Sequence, residues 1–279
     1  MMTEGNCKIN LALNVEGILP NGYHSVKMIM QEITLCDEIS LTFGKSGVSL
    51  SCSNLQIPTD NKNIAYRAVE MFYEKTGIAD GVHIHIEKIV PTEAGLGGGS
   101  ADGAAVFKAM NEHYGYPLSE EQLLDLGASL GADVPFCIMG ATAVAEGIGE
   151  VLTPIKSNVK TDVLIVKPPV GISTPWAYKR LDEVGFDPVD VDKVKDALES
   201  GSVAQLCATM ANVFETVALE KYPEIAQIKA DMLTLGASGA MMSGSGPSVF
   251  GIFEDADAFD NAYKHFKEKY KDTFKAKMV

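Results

Sequence analysis

Residues 91–102 read Pro-Thr-Glu-Ala-Gly-Leu-Gly-Gly-Gly-Ser-Ala-Asp, with glycine at four of the five positions from Gly95 to Gly99. Lacking Cβ atoms, such a backbone can come close to a ligand and turn successive N–H groups toward it. A helical pattern follows from about Ser100 to Tyr114. That helix would add its N-terminal dipole, about +0.5 charge, and its unpaired N–H donors. The chemistry is anion binding, and phosphate is the obvious anion. No Gly-Lys-Ser/Thr follows the glycines, which excludes a Walker A loop, and Ser100 stands where a dinucleotide fingerprint needs its third glycine. A plain strand-to-helix connector needs only one or two glycines, so phosphate binding is the favoured reading.

Other groups suit chemistry less specifically. Asp133 sits just past a helix end in Leu130-Gly131-Ala132-Asp133-Val134-Pro135-Phe136, where Pro135 should keep the segment extended. It is either a turn or cap residue, or a base that needs a nearby cation to stay ionised. Lys8 is the candidate cation. Ser243-Gly244-Ser245-Gly246-Pro247 offers a second set of backbone donors, though such loops commonly lead into strands. His83 and His85 form a His-x-His pair without a third ligand nearby, which reads as a solvated strand face.

Hydrophobic periodicity supplies the elements that position these groups. Ile9, Leu11, Leu13 and Val15 alternate with polar or small residues, a half-buried strand that puts Lys8 and Asn10 on one face. Pro20-Asn21-Gly22 is a turn that delivers Tyr23 and His24. Strands are expected at 31–35, 38–43, 82–87, 163–166 and 248–253. Helices are expected at about 63–75, 100–114, 119–131, 191–199 and 202–218, from Pro223 to Gly236, and along the charged tail 256–277. Ser119-Glu120-Glu121-Gln122 makes a capping box. The polar stretch 153–162 marks a boundary, which divides the chain into domains 1–155 and 156–279.

The 279 residues carry 23 basic and 37 acidic side chains, a net charge of −14. That field repels nucleic acid and anionic membrane, so neither is expected as a partner, and any phosphate must be held by local donors. No apolar run approaches the ~18 residues of a membrane span. With no secretory segment at its start, the chain reads as cytoplasmic. Five scattered cysteines without Cys-x-x-Cys spacing argue against a disulfide framework or a zinc site.

Taken in order, several segments resemble the GHMP kinase superfamily of small-molecule kinases. They are Lys8-Ile9-Asn10-Leu11, Gly22-Tyr23-His24, the glycine loop, Leu130–Phe136, Lys167–Pro175 with Tyr178, and Met242–Pro247. The glycine loop alone would indicate only the superfamily. The rest resembles the branch acting on a cytidyl-diphospho sugar alcohol in non-mevalonate isoprenoid precursor synthesis. The resemblance implies an α+β chain with the GHMP kinase fold. An N-terminal α/β domain like domain 2 of ribosomal protein S5 would precede a ferredoxin-like C-terminal domain, with the active site between them. It implies transfer of the ATP γ-phosphoryl, with Mg²⁺, to the 2-hydroxyl of the methylerythritol unit.

By matching motifs, Asp133 would be the catalytic base and Lys8 its charged partner. Pro91, Gly95, Leu96, Gly97, Gly98, Gly99, Ser100 and Ala101 would hold the ATP phosphates, with Asn63 and Lys88 near the nucleotide. Asn10, Tyr23, His24 and Tyr178 would surround the other substrate. No residue is assigned to the metal, and oligomeric state is left open. Departures from the family pattern are Cys7 and Gly103, where alanine is usual, Ala101 for a common serine, and Val213 for a frequent aspartate. Another GHMP acceptor, such as homoserine or mevalonate, and a catalytically silent nucleotide-binding protein are the competing readings. Gly22-Tyr23-His24 and Tyr178 speak against the first, since an acceptor without a nucleobase needs neither. Lys8 and Asp133 speak against the second.

Overall fold

Alternating apolar residues at the N-terminus form a long strand, β1 (Met2–Ile18), and the turn at Pro20–Gly22 leads into a longer one, β2 (His24–Phe43). In the computed structural model, which describes residues 1–44 and 47–279, there follow β3 (Val48–Cys52), α1 (Ile64–Thr76), β4 (Val82–Glu87), α2 (Gly98–His113), α3 (Glu120–Leu130), α4 (Val134–Met139), β5 (Thr142–Glu146) and β6 (Val151–Pro154). The chain continues through β7 (Asp162–Lys167), α5 (Thr174–Val184), α6 (Val191–Ser200), α7 (Val203–Thr209), β8 (Ala211–Asn212), α8 (Glu215–Lys221) and α9 (Pro223–Thr234). It ends with β9 (Gly239–Met242), β10 (Val249–Phe253), α10 (Ala256–Lys269) and β11 (Asp272–Lys277).

Two compact units interleave along the chain. One comprises Met1–Cys7, Cys36–Thr92 and Gly97–Gly140; the other comprises Lys8–Leu35, Glu93–Leu96 and Ala141–Val279. In the first, β3 runs parallel to β4, and β4 pairs antiparallel with Glu38–Phe43 of β2. Ile39, Leu41, Ile84 and Ile86 are buried along these strands, with Phe72 of α1 and Phe107 of α2. The α1 helix packs on α2, and α4 packs on both α2 and α3. Asn63 caps α1, accepting from Ala65 N at 2.9 Å, and both capping-box bonds form at Ser119 and Gln122.

In the second unit, Met28–Gln31 of β2 pairs with β5, β5 with β6, and Ala12–Leu13 of β1 runs parallel to β8. A separate antiparallel sheet has the order β11-β7-β10-β9, with α9 and α10 packed against its strands. Numbered along the chain, that order is four-one-three-two, the ferredoxin-like arrangement that the family resemblance implies.

Four expectations are corrected. The strands expected at 31–35 and 38–43 are one, because Asp37 does not break β2: its carboxylate is buried and fully engaged by Lys88 and by the backbone N–H groups of Ile89 and Val90. Pro135 does not hold its segment extended. It lies in the first turn of α4, where its missing N–H would have had no helical partner. The helix expected at 202–218 is split by β8, where the Asn212 side chain donates to Met242 O and Gly244 O, each at 2.8 Å. The tail helix stops at Lys269, and residues 272–277 pair with β7, burying Thr273 and Ala276.

Gly103 carries a propensity penalty of up to ~1 kcal/mol relative to alanine inside a helix. Here it serves packing: a Cβ would stand 2.6 Å from Ile64 Cγ2 and 3.3 Å from Leu130 Cδ2. Overpacking a tight core costs about 1–3 kcal/mol, more than the propensity gain. Gly103→Ala should therefore lower the thermal midpoint, as measured by circular dichroism, although it is the better helix former; a raised midpoint would show that Ile64 yields freely.

Candidate active site

The first half of the glycine loop is locked in the second unit by backbone contact. Gly95 has φ +76°, and a Cβ there would lie 2.1 Å from the carbonyl oxygen of Ser243, so only glycine fits. Ser243 Oγ donates to Gly95 O at 2.9 Å and accepts from Asn10 N at 3.3 Å. Ser248 N donates to Ala94 O at 3.3 Å. The second glycine loop is thus a brace for the first.

Lys8 is anchored in the same network. Its backbone N–H donates to Leu96 O at 3.0 Å; its ammonium donates to Asn10 Oδ1 at 2.7 Å and reaches Gly95 O at 3.4 Å. Lys8 is only 4% exposed and Asn10 fully buried, so the face they share is not the solvated side of a half-buried strand. Asn10 holds the lysine with its oxygen, while its Nδ2 points to Met28 Sδ at 3.2 Å. A buried ammonium needs such partners because desolvation strongly disfavours the charge.

The second half of the loop belongs to the first unit, where Gly97, at φ +69°, turns the chain into α2. The helix begins inside the glycines, two residues earlier than expected, so the N–H groups of Gly98, Gly99 and Ser100 lie in its first turn. Ala101 is 1% exposed. Gly131 approaches this helix start: a Cβ on it would lie 4.0 Å from Ser100 Oγ. Two residues on, Asp133 occupies the N-cap position of α4, yet its side chain makes no capping bond. A simple helix-cap role therefore does not account for it. Pro91 precedes the loop on the same unit, and Asn63 is committed to its cap on α1, with Nδ2 donating to Pro58 O.

Below the start of α2 lies a group of charges. Lys88 Nζ contacts Asp37 Oδ2 at 2.5 Å and Asp102 Oδ2 at 2.7 Å, with all three side chains at most 6% exposed. Burial pulls Lys88 down, but the two carboxylates outweigh it and hold the ammonium above the usual lysine value. Burial drives Asp102 up to about 8, against the pull of Lys88. Its Oδ1 has no hydrogen-bond partner.

In the second unit, Tyr178 of α5 stacks on His24, with ring centroids 4.4 Å apart. His24 Nε2 lies 3.0 Å from both Asp182 carboxylate oxygens. A carboxylate only accepts, so Nε2 donates to Asp182, which leaves Nδ1 as the other ring nitrogen. Tyr23 is 62% exposed beside this pair in sequence, its N–H donating to Asn21 Oδ1. An open cavity of about 600 Å³ is lined by residues 184–187, 189, 210–213, 215 and 216, and by none of the candidate site residues.

The structure brings Lys8, Asn10 and Gly95 together in one unit, and His24 and Tyr178 in the same unit. In the other it gathers Lys88 and Gly98, and brings Gly131 to Ser100. Sequence reasoning missed Asp37, Asp102, Asp182 and Asn212. Asp102 lay in the motif itself and Asp182 lies four residues, one helical turn, after Tyr178; Asp37 and Asn212 gave no local signal. Among the described residues no three His, Cys, Asp or Glu side chains gather as a metal site, and no helix is long and apolar enough to cross a membrane.

A glycine cradle opening a helix, with a ferredoxin-like sheet in the other unit, defines the class of the GHMP small-molecule kinases. The family models agree: that of the GHMP kinases N terminal domain matches residues 63–141 and that of the GHMP kinases C terminal matches 194–272. A 4-diphosphocytidyl-2-C-methyl-D-erythritol kinase of Clostridium botulinum (strain Eklund 17B / Type B) is 43% identical over 276 residues, covering 98% of both chains. Another, of Acetivibrio thermocellus, is 46% identical over 266 residues, covering 95% of this chain and 94% of that one. The crystal structure of a 4-(cytidine 5'-diphospho)-2C-methyl-D-erythritol kinase superposes with a TM-score of 0.86 at 30% identity, covering 100% of this chain and 99% of that one. A homoserine kinase from Cytophaga hutchinsonii shares the fold, with a TM-score of 0.74 at 19% identity. The chain belongs to the family of the 4-diphosphocytidyl-2-C-methyl-D-erythritol kinases within the GHMP kinases.

The Asp102 shift has a consequence for stability. Between pH ~4 and ~8 the native chain keeps a proton on Asp102 that the unfolded chain has released, so stability is highest below that window and declines as pH rises through it. Urea midpoints of the wild type should fall across that window more steeply than those of Asp102→Asn, which cannot ionise. Equal slopes would mean that Asp102 is ionised throughout.

Proposed function

We propose that this chain catalyses ATP-dependent phosphorylation of the 2-hydroxyl of 4-diphosphocytidyl-2-C-methyl-D-erythritol, in the cytoplasm, as a step of non-mevalonate isoprenoid precursor synthesis. The observation that carries this reading is the full-length likeness to kinases of that name, joined to a glycine cradle braced as phosphate binding requires. In this reading the halves 1–155 and 156–279 serve as the N-terminal ATP-binding and C-terminal domains.

The acceptor proton is too weakly acidic for a carboxylate of ordinary pKa ~4 to remove in advance. Phosphoryl transfer through a loose transition state avoids that need, since the attacking hydroxyl acidifies only as its bond to phosphorus forms. Asp133 orients the hydroxyl and takes its proton late. Lys8 offsets the growing negative charge, and the N–H groups of the loop and of the first turn of α2 hold the phosphate oxygens. A cation beside a carboxylate lowers its basicity, so the role proposed for Lys8 is charge stabilisation and positioning.

Mg²⁺ commonly keeps several waters and is held by one or two carboxylates plus substrate phosphates. When bound, it neutralises charge on the phosphates. The Ser100 hydroxyl, in the first turn of α2, would be one oxygen ligand for it, and Asp133 is proposed as another.

For the acceptor, Nδ1 of His24, with Nε2 turned to Asp182, would accept from the exocyclic amine of cytosine when the ring is neutral, and Tyr178 supplies a stacking face. Asn10 and Tyr23 complete that side of the reading.

Asp133→Asn should leave ATP binding nearly intact while lowering kcat at least ~10²-fold in an ADP-release assay. Near-wild-type turnover would remove Asp133 from the mechanism. The same assay run with homoserine and mevalonate as acceptors separates the family members, and no turnover with any of them would leave only a silent nucleotide binder.

His24→Ala should raise KM for the cytidyl acceptor about tenfold or more, as loss of one good hydrogen bond implies, while KM for ATP moves little. Asp182→Asn should shift the same constant in the same direction by less. Equal effects on both substrates would refute the placement of His24.

A further inference from the structure

The family resemblance puts Lys88 near the nucleotide, where a lysine would ordinarily be read as touching it. Its surroundings argue otherwise. The side chain is 4% exposed, and its ammonium donates to Asp37 and Asp102. Asp37 is fully buried and spends its other oxygen on the N–H groups of Ile89 and Val90, at 2.6 and 2.8 Å. The lysine's own N–H donates to Ser53 Oγ at 2.9 Å. The segment from β4 toward the glycine loop is thereby pinned along its length. Asp102 lies one turn into α2, so the same ammonium also ties down the helix that the loop opens.

The contact with the cradle is close. A Cβ on Gly98, the first residue of α2, would lie 3.4 Å from Lys88 Nζ and 2.9 Å from Val90 Cγ1. The first turn of the helix therefore rests on this buried group. For the ammonium to reach a ligand, it would have to leave the buried Asp37 carboxylate without a counter-charge and the buried Asp102 without its hydrogen-bond donor, which buried ion pairs resist strongly.

We propose that Lys88 is a positioning residue: with Asp37 and Asp102 it forms a buried ionic clasp that seats the first turn of α2 for phosphate binding, and it acts on the nucleotide only through that clasp. This rests on reading the glycine loop as the ATP phosphate site. The clasp deepens that reading by assigning Asp37 and Asp102 to the cradle's support, although neither would touch the ligand.

A lysine on the base and a lysine under the phosphate loop predict different losses. The test is calorimetric binding of adenosine, of a non-hydrolysable ATP analogue with Mg²⁺, and of inorganic tripolyphosphate to the full chain and its variants. For Lys88→Met, affinity for tripolyphosphate and the ATP analogue should fall about tenfold or more, since small misplacements of a positioning element cost up to ~10²-fold, while affinity for adenosine stays within about twofold. Asp102→Asn preserves shape but replaces a carboxyl that can ionise with an amide that cannot, weakening its hold on the Lys88 ammonium. It should show the same split at smaller size, and it decides the matter alone if near-UV circular dichroism shows that Lys88→Met does not fold.

Loss of adenosine affinity in step with the ATP analogue would overturn the proposal in favour of direct contact with the base. Wild-type affinity for tripolyphosphate in both variants would overturn it as well. A wild-type chain that binds neither tripolyphosphate nor the ATP analogue would bring down the phosphate reading of the loop itself, and the clasp's role with it.

Discussion

The α-carbon of Gly95 lies against the carbonyl of Ser243, and most of the site follows from that contact. Two backbones can lie that close only where one lacks a side chain. The Ser243 hydroxyl then bonds to Gly95 O and accepts from Asn10 N, and Asn10 in turn holds the Lys8 ammonium. Asn212 secures the far side through Met242 O and Gly244 O. One glycine therefore governs two loops and the placement of a buried cation. A methyl group there would separate the loops, and Lys8 would lose the partners that make its burial tolerable.

Binding a polyphosphate with a chain of net charge −14 is a contest between a diffuse field and donors at contact distance. At physiological ionic strength the screening length is about 8 Å, so most surface carboxylates act weakly on the cradle. In the proposed cradle, N–H donors at the start of α2 would act at hydrogen-bond range and so outweigh that screened field. The carboxylates that matter are the near ones, Asp37 and Asp102, and these are matched by Lys88 directly beneath the helix. Burial, which drives Asp102 toward its neutral form, reduces the local negative charge further.

The elements legible in the sequence are those whose signal is local. The capping box at Ser119, the Asn63 cap, the alternation of Val82–Glu87 and the glycine run before α2 each declared themselves within a few residues, and each is present. The misreadings share a cause. At 31–43 one strand reads as two, and at 202–218 a helical pattern ran through Asn212. The tail looked like one charged helix. In each case a partner distant in sequence decided the outcome: Lys88 for Asp37, Met242 and Gly244 for Asn212, and β7 for residues 272–277. Pro135 was misread for a different reason, since its penalty vanishes in a helix's first turn.

Residue types and spacing indicated an anion cradle, and the motifs taken in order indicated kinship with the GHMP kinases, a resemblance that proposes Lys8 and Asp133 for phosphoryl transfer. Glycine, helix caps and alternating strands are short-range devices, written in neighbouring residues. Folding added what depends on long-range neighbours: that Lys8 is buried and held by Asn10, that Asp182 directs the proton of His24, and that Lys88 is enclosed by two aspartates. Burial and pairing set the charge and hydrogen-bonding state of those groups, and both are properties of surroundings assembled from remote parts of the chain.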